Sequence, residues 1–174
     1  LAKTPRQSGY SWEKLFKESF DECFPDGFIY KLIDTHSLEG AKKSASAAGN
    51  QNWSKIIVPK VPSDWICIVD GVTIFVECKN TMNQSSFPLS NIKSHQFEFA
   101  AKIEAAGGKY FFAIRRQEPR NNECFLLTLN DFIRLGTKSG GRKSIKWELI
   151  RDDEWIIKCP QIKGSKFAIQ ALFD

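Results

Sequence analysis

Between Ser11 and Cys23 the apolar residues return every three or four positions. Trp12, Leu15, Phe16, Phe20 and Cys23 fall on one side of a 3.6-residue period, and Glu13, Lys14, Lys17, Glu18 and Asp21 fall on the other. This pattern predicts an amphipathic helix, stopped by Pro25, Asp26 and Gly27. FIYKLID, from Phe28 to Asp34, has the length and composition of a strand. From Thr35 to about Trp53 the chain is small, polar and without period, as in a protruding arm or flexible loop.

Two apolar runs then flank Asp70 and Gly71, which predicts a tight hairpin. A polar loop with Phe87 and Pro88 follows, and then a helix capped by Ser90 or Asn91 with Ile92, Gln96, Phe99, Ile103 and Ala106 along one face. Gly107 and Gly108 end it. KYFFAIR and ECFLLTL read as strands, Asn130 to Leu135 as a short helix, and GTKSGGRK as a basic loop. IKWELI, WIIKC and FAIQALF are further strand candidates. The order helix, strand, hairpin, helix, strand predicts an α/β fold, a single domain over 1–174 with a central mixed β-sheet flanked by helices.

The hairpin also carries charge. With Asp70 and Gly71 as a two-residue turn, Val69 faces Val72 and Ile68 faces Thr73, and the pairing brings Asp64 opposite Glu77 with Cβ atoms about 5 Å apart. Lys79 shares the parity of Glu77 and emerges on the same face. Two facing carboxylates repel unless a cation or a shared proton lies between them. Oxygen ligands of this kind suit Mg²⁺, which keeps several waters and completes its shell with a phosphate, so the chemistry indicated is phosphodiester hydrolysis. The plainer alternative is an acid solvated at a strand end and a solvent-facing Glu-x-Lys pair. Asp70 is explained by its turn.

Composition changes this picture little. The chain has 174 residues, 42% of them hydrophobic, and a net charge of +5, which fits an anionic partner and equally a soluble protein without one. Five scattered cysteines and two histidines, His36 and His95, show no zinc-ligand spacing, and the thiols are expected to be reduced. The polar start LAKTPRQSGYSWEK is unlike a signal peptide, and a cytoplasmic protein with no membrane partner is expected.

P-S-D followed after twelve residues by E-C-K resembles the PD-(D/E)-x-K nuclease motif. The segment ECKNTMNQSSFPLSNIKSHQFEFAAKIEAAGG is similar to that of RecU-type Holliday-junction resolvases, with E-x-K, a Ser-Phe-Pro-Leu element and His-Gln on a helix. Gly9, three residues, then Glu13 resembles the helix start of RecU-type and archaeal Hjc-type resolvases. The resemblance covers Gly9 to Ile114, and nothing after Arg116 is recognisable, so 117–174 reads as a divergent C-terminal part. It implies a restriction-endonuclease-like fold, a homodimer, branched DNA with a four-way junction as substrate, and Mg²⁺ with Mn²⁺ as a substitute.

By the same resemblance Glu13, Asp64, Glu77 and the backbone carbonyl of Cys78 hold the metal. Lys79 and Gln96 position the water, His95 lies nearby and Ser63 contacts phosphate. Without the resemblance, Glu13 reads first as a solvated helix acid paired with Lys17, and Gln96 equally as an amide satisfied by backbone. Further phosphate contacts are expected from Lys42, Lys43, Lys55, Lys60, Arg115, Arg116, Arg142 and Lys143. Three readings follow: a junction resolvase, a nuclease of the same fold acting on ordinary duplex DNA, and a non-catalytic DNA-binding protein.

Overall fold

A computed structural model of the chain describes residues 5–32, 60–118 and 122–173. Helix α1 (Pro5–Cys23) leads into strand β1 (Phe28–Lys31), the hairpin β2 (Trp65–Val69) and β3 (Val72–Thr81), and the short strand β4 (Ser86–Pro88). Helix α2 (Ser94–Ala105) precedes β5 (Lys109–Arg116) and β6 (Glu123–Leu127). Helix α3 (Leu129–Lys138), β7 (Ser144–Lys146), helix α4 (Trp147–Arg151) and β8 (Ile157–Cys159) complete the order. Six strands form one sheet in the order β1-β2-β3-β5-β6-β8; β3 and β5 run parallel and the other neighbours antiparallel. The expected mixed sheet flanked by helices is present.

Strand alternation gives the sheet two apolar faces. Trp12, Phe16 and Phe20 of α1 pack on Cys67, Ile74, Val76, Cys78, Ala113 and Leu126, and the Trp12 indole donates to the Ala113 carbonyl at 3.0 Å. The opposite face, with Tyr110, Phe112, Ile114, Phe125 and Leu127, is covered by Ala100 of α2, Phe132 and Leu135 of α3, and Trp147 and Ile150 of α4.

Several elements differ from the sequence reading. Phe87 and Pro88 are in strand β4, which pairs with β7 in a second, two-stranded sheet. The second helix starts four residues later than Ser90, after a 3₁₀ turn over Leu89–Asn91. Thr128, not Asn130, caps α3: its hydroxyl accepts from Asp131 N at 3.3 Å, and the Asp131 carboxylate accepts from Thr128 N at 2.8 Å. That reciprocal cap lets α3 run through Lys138, inside the segment read as a loop, before Gly140 and Gly141 turn the chain at positive φ.

IKWELI is a strand only to Lys146, after which Trp147 opens α4. FAIQALF is not a sheet strand. Phe167, Ile169 and Leu172 are buried against α1, and Phe167 N donates to Ser19 Oγ at 3.0 Å. Residues 122–173 therefore complete the same sheet and both cores through β6, α3, α4 and β8. The 35–53 arm lies outside the described residues.

Candidate active site

The β2–β3 hairpin has the expected register. Asp70 and Gly71 take φ of 49° and 79°, Val69 pairs with Val72, and the ladder runs to Trp65 opposite Val76. One step further, Asp64 comes beside Glu77. Asp64 Oδ2 accepts from Cys78 N at 2.7 Å, and its own carbonyl accepts from Leu32 N at 2.8 Å. Glu77 is only 4% exposed.

Two donors meet on one oxygen of Glu77: Lys79 Nζ at 2.7 Å and Gln96 Nε2 at 2.5 Å. Gln96 lies in the first turn of α2, where its carbonyl accepts from Lys93 N at 2.8 Å, which fixes the amide with its NH₂ toward Glu77. Both readings of Gln96 thus apply at once, a backbone-satisfied carbonyl and a site-facing NH₂.

Burial, and after it the charge of Glu77, holds the Asp64 carboxyl well above the usual range; burial also raises Glu77, against the pull of Lys79. Like charges this close repel by roughly 4 kcal/mol even at an effective dielectric near 20. A shared proton or a cation between them would offset that repulsion.

Glu13 approaches from α1, and its charge adds to the rise of both acids. Its own Oε2 is bound to Lys31 Nζ at 2.5 Å. Among the described residues no three of His, Cys, Asp and Glu are gathered around a cation-sized space. Two acids are in place and the third is held by Lys31. The Cys78 side chain points into the opposite core, where burial pushes its thiol well up.

The predicted phosphate contacts divide. Ser63 is buried and donates its hydroxyl to the Trp65 carbonyl at 2.8 Å, so it shapes the Asp64 turn rather than facing a phosphate. Arg115 is 7% exposed, donates to Asn122 at 3.0 Å and lies 5.8 Å from the Trp12 ring centre. Arg116 is engaged by Glu118, Glu123 and the Gln84 carbonyl. Asn122 and the Trp12 ring thus engage one guanidinium, and acids engage the other. Lys60, Arg142 and Lys143 are exposed, whereas Lys42, Lys43 and Lys55 lie outside the described residues. His95 stacks edge-on with Phe99, and burial, then Lys60 and Lys79, lower its pKa.

One neighbour of the site has no counterpart in the sequence reading. Tyr110, 1% exposed on β5, donates to the Pro62 carbonyl at 2.9 Å, close to Glu77. Burial, then the charges of Glu77 and Asp64, push the phenol far up, so it remains a donor. A tyrosine among apolar strand residues is itself a signal, since a buried phenol needs a polar partner.

The model for Recombination protein U, RecU, matches residues 42–165. The chain belongs to the RecU family. This RecU-family chain is 33% identical over 97 residues to a Holliday junction resolvase RecU of Oceanobacillus iheyensis, a match covering 55% of the chain and 48% of that protein. It is 33% identical over 115 residues to the one from Pediococcus pentosaceus, with 65% and 54% covered, and 36% over 97 residues to one from a Geobacillus species, with 54% and 47% covered. The chain thus spans about half the length of the curated relatives it matches. Among solved structures, Hjc, a Holliday junction resolvase of Archaeoglobus fulgidus, aligns with a TM-score of 0.45 at 11% identity, over 79% of this chain and 86% of that one. The RecU match continues to residue 165, well past the point where the sequence alone is recognisable.

Proposed function

We propose that this chain is a metal-dependent endodeoxyribonuclease that cleaves four-way DNA junctions by phosphodiester hydrolysis. The observation that carries the reading is the pair Asp64 and Glu77, two acids side by side at one sheet end with Lys79 and Gln96 fixed on the same Glu77 oxygen. One lysine offsets one of two carboxylates, and a divalent cation is the partner the remaining charge favours.

Hard oxygen donors fit Mg²⁺, with Mn²⁺ as substitute, held by Asp64, Glu77 and the Cys78 carbonyl, with Glu13 as a further acid once Lys31 releases it. When bound, such a cation polarises the scissile phosphate and makes water a better nucleophile. Lys79 stabilises negative charge growing on the phosphate oxygens, and the Gln96 NH₂ orients what lies beside Glu77. Lys60, Arg142 and Lys143 supply backbone attraction, which sets affinity and salt dependence rather than sequence preference.

The junction, rather than plain duplex, is supported by the shared name of the relatives, Holliday junction resolvase RecU. A homodimer would bring two such sites to opposing strands. In its support, β1 presents Phe28 and Tyr30, stacked at 6.3 Å and 54% and 53% exposed, on the sheet face away from α1. No helix among the described residues is long and apolar enough to cross a membrane, and the bacterial relatives support a cytoplasmic setting.

The test is to incubate the chain with a labelled four-way junction and a matched linear duplex, each with Mg²⁺ and with EDTA. Paired nicks in opposing strands of the junction, lost in EDTA, are expected. Equal cutting of both DNAs would leave a duplex nuclease, and binding without cutting would leave a non-catalytic DNA-binding protein.

A further inference from the structure

Asp64 lies one residue before the β2 ladder, so strand pairing with β3 does not fix its main chain. Four hydrogen bonds hold it and its neighbours: Leu32 N to the Asp64 carbonyl, Ser63 Oγ to the Trp65 carbonyl, Cys78 N to the Asp64 carboxylate, and the Tyr110 hydroxyl to the Pro62 carbonyl. The first three come from β1, from the turn itself and from β3. The fourth comes from β5, on the far side of β3, so the Tyr110 side chain crosses the strand that carries Glu77.

The parallel register explains how it reaches. Tyr110 is level with Phe75, two residues before the Glu77–Phe112 level, and parallel neighbours at one level share a face. Its ring lies against Phe112, with centroids 5.1 Å apart, and its hydroxyl arrives beside Glu77 and at Pro62. Packing alone would be served as well by phenylalanine, the residue at 111 and 112 of the same strand.

We infer that Tyr110 is a positioning residue: its hydroxyl fastens the Pro62–Asp64 turn over Glu77 and so sets the separation at which Asp64 and Glu77 share one divalent cation. The inference rests on the metal-dependent reading above. It concerns the hydroxyl and not the ring, which makes it separable from a role in the core.

Tyr110→Phe removes only the hydroxyl. In the full chain, the Mn²⁺ midpoint, read as the rise in melting temperature during a titration without DNA, is expected to move about tenfold upward; kcat for nicking falls about tenfold while KM for DNA stays within about twofold. 4-Aminophenylalanine at position 110, which keeps a donor at the ring's end, restores the midpoint. Phe112→Leu lowers the melting temperature and leaves the midpoint in place.

A Tyr110→Phe protein with the wild-type midpoint and kcat would overturn the inference. So would an equal midpoint shift in Phe112→Leu, which makes the role one of packing, or a Tyr110→Phe chain that cannot fold, which makes it one of stability. A wild-type protein whose melting temperature ignores Mn²⁺ would overturn the metal-dependent reading, a failure distinct from that of the variant alone.

Discussion

Among the described residues two pairs of acids are packed into the fold, and they are treated in opposite ways. At the α3 end, Arg134 lies between Asp131 and Asp153, and Lys138 reaches Asp153 at 2.9 Å, so two acids meet two bases. The hydrogen bond from Arg134 holds the Asp153 carboxyl far below the usual range. At the hairpin, Lys79 is bound to Glu77 alone, and burial drives both Asp64 and Glu77 upward, Asp64 further through the charge of Glu77. One cluster is electrically complete and serves as a fastening. The other is left one positive charge short, an imbalance that the proposed cation would offset.

The largest effect should come from converting the second pair toward neutrality. Asp64→Asn is expected to lower Mg²⁺-dependent junction cleavage roughly 100-fold or more, with junction binding in a gel-shift assay largely kept. Full cleavage by that variant would show that the unbalanced pair has no part in the chemistry.

The next test sets the two pairs against each other in pH. Asp153 has a lowered folded value, so its stabilisation is present above the usual carboxylate range and is lost as pH falls from that range to the lowered folded value; Asp64 and Glu77 have raised values, so theirs is present in acid and is lost as pH rises through the raised values. Melting in metal-free buffer should therefore show Asp153→Asn flattening the acid-side loss and Asp64→Asn flattening the loss on the neutral side. Asp153→Asn should also cost ~1–3 kcal/mol near pH 7, discounted because Arg134 and Lys138 remain partly in water. Parallel slopes in the two variants would erase the contrast.

The smallest effect concerns neither pair. Arg142→Gln, at an exposed turn, should weaken junction binding only a few-fold and reduce the steepness of the log affinity against log salt plot by about one. An unchanged slope would remove Arg142 from the DNA surface.

The hairpin was legible because its information is local. Asp70 and Gly71 specify a turn that sets the register, and Asp64, Glu77 and Lys79 then follow by parity. Gln96 was readable as a polar residue on an apolar stripe. What was hidden depends on residues distant in sequence.

Arg115 and Arg116 look like phosphate ligands until Trp12, Asn122, Glu118 and Glu123 fold against them. FAIQALF alternates like a strand, yet its apolar residues dock on a helix because Ser19 captures Phe167 N, and alternation does not distinguish those partners. Asn130 and Thr128 are both good caps; the contest is decided by Asp131, three residues after Thr128, which closes a reciprocal pair. Tyr110 was missed because its partner, the Pro62 carbonyl, is a backbone atom 48 positions away, which no side-chain pattern announces.

The bond from Cys78 N to the Asp64 carboxylate has a spectroscopic consequence. Most amide protons in a central strand face a neutral carbonyl whose environment changes little. This one faces an oxygen whose charge depends on whether a proton or a cation is present, and charge-assisted bonds of this kind shorten as the acceptor becomes more anionic. The Cys78 amide resonance, followed by ¹⁵N-edited NMR, is thus a natural indicator placed at the carboxylate. Its chemical shift should track occupancy without any label or substitution near the site.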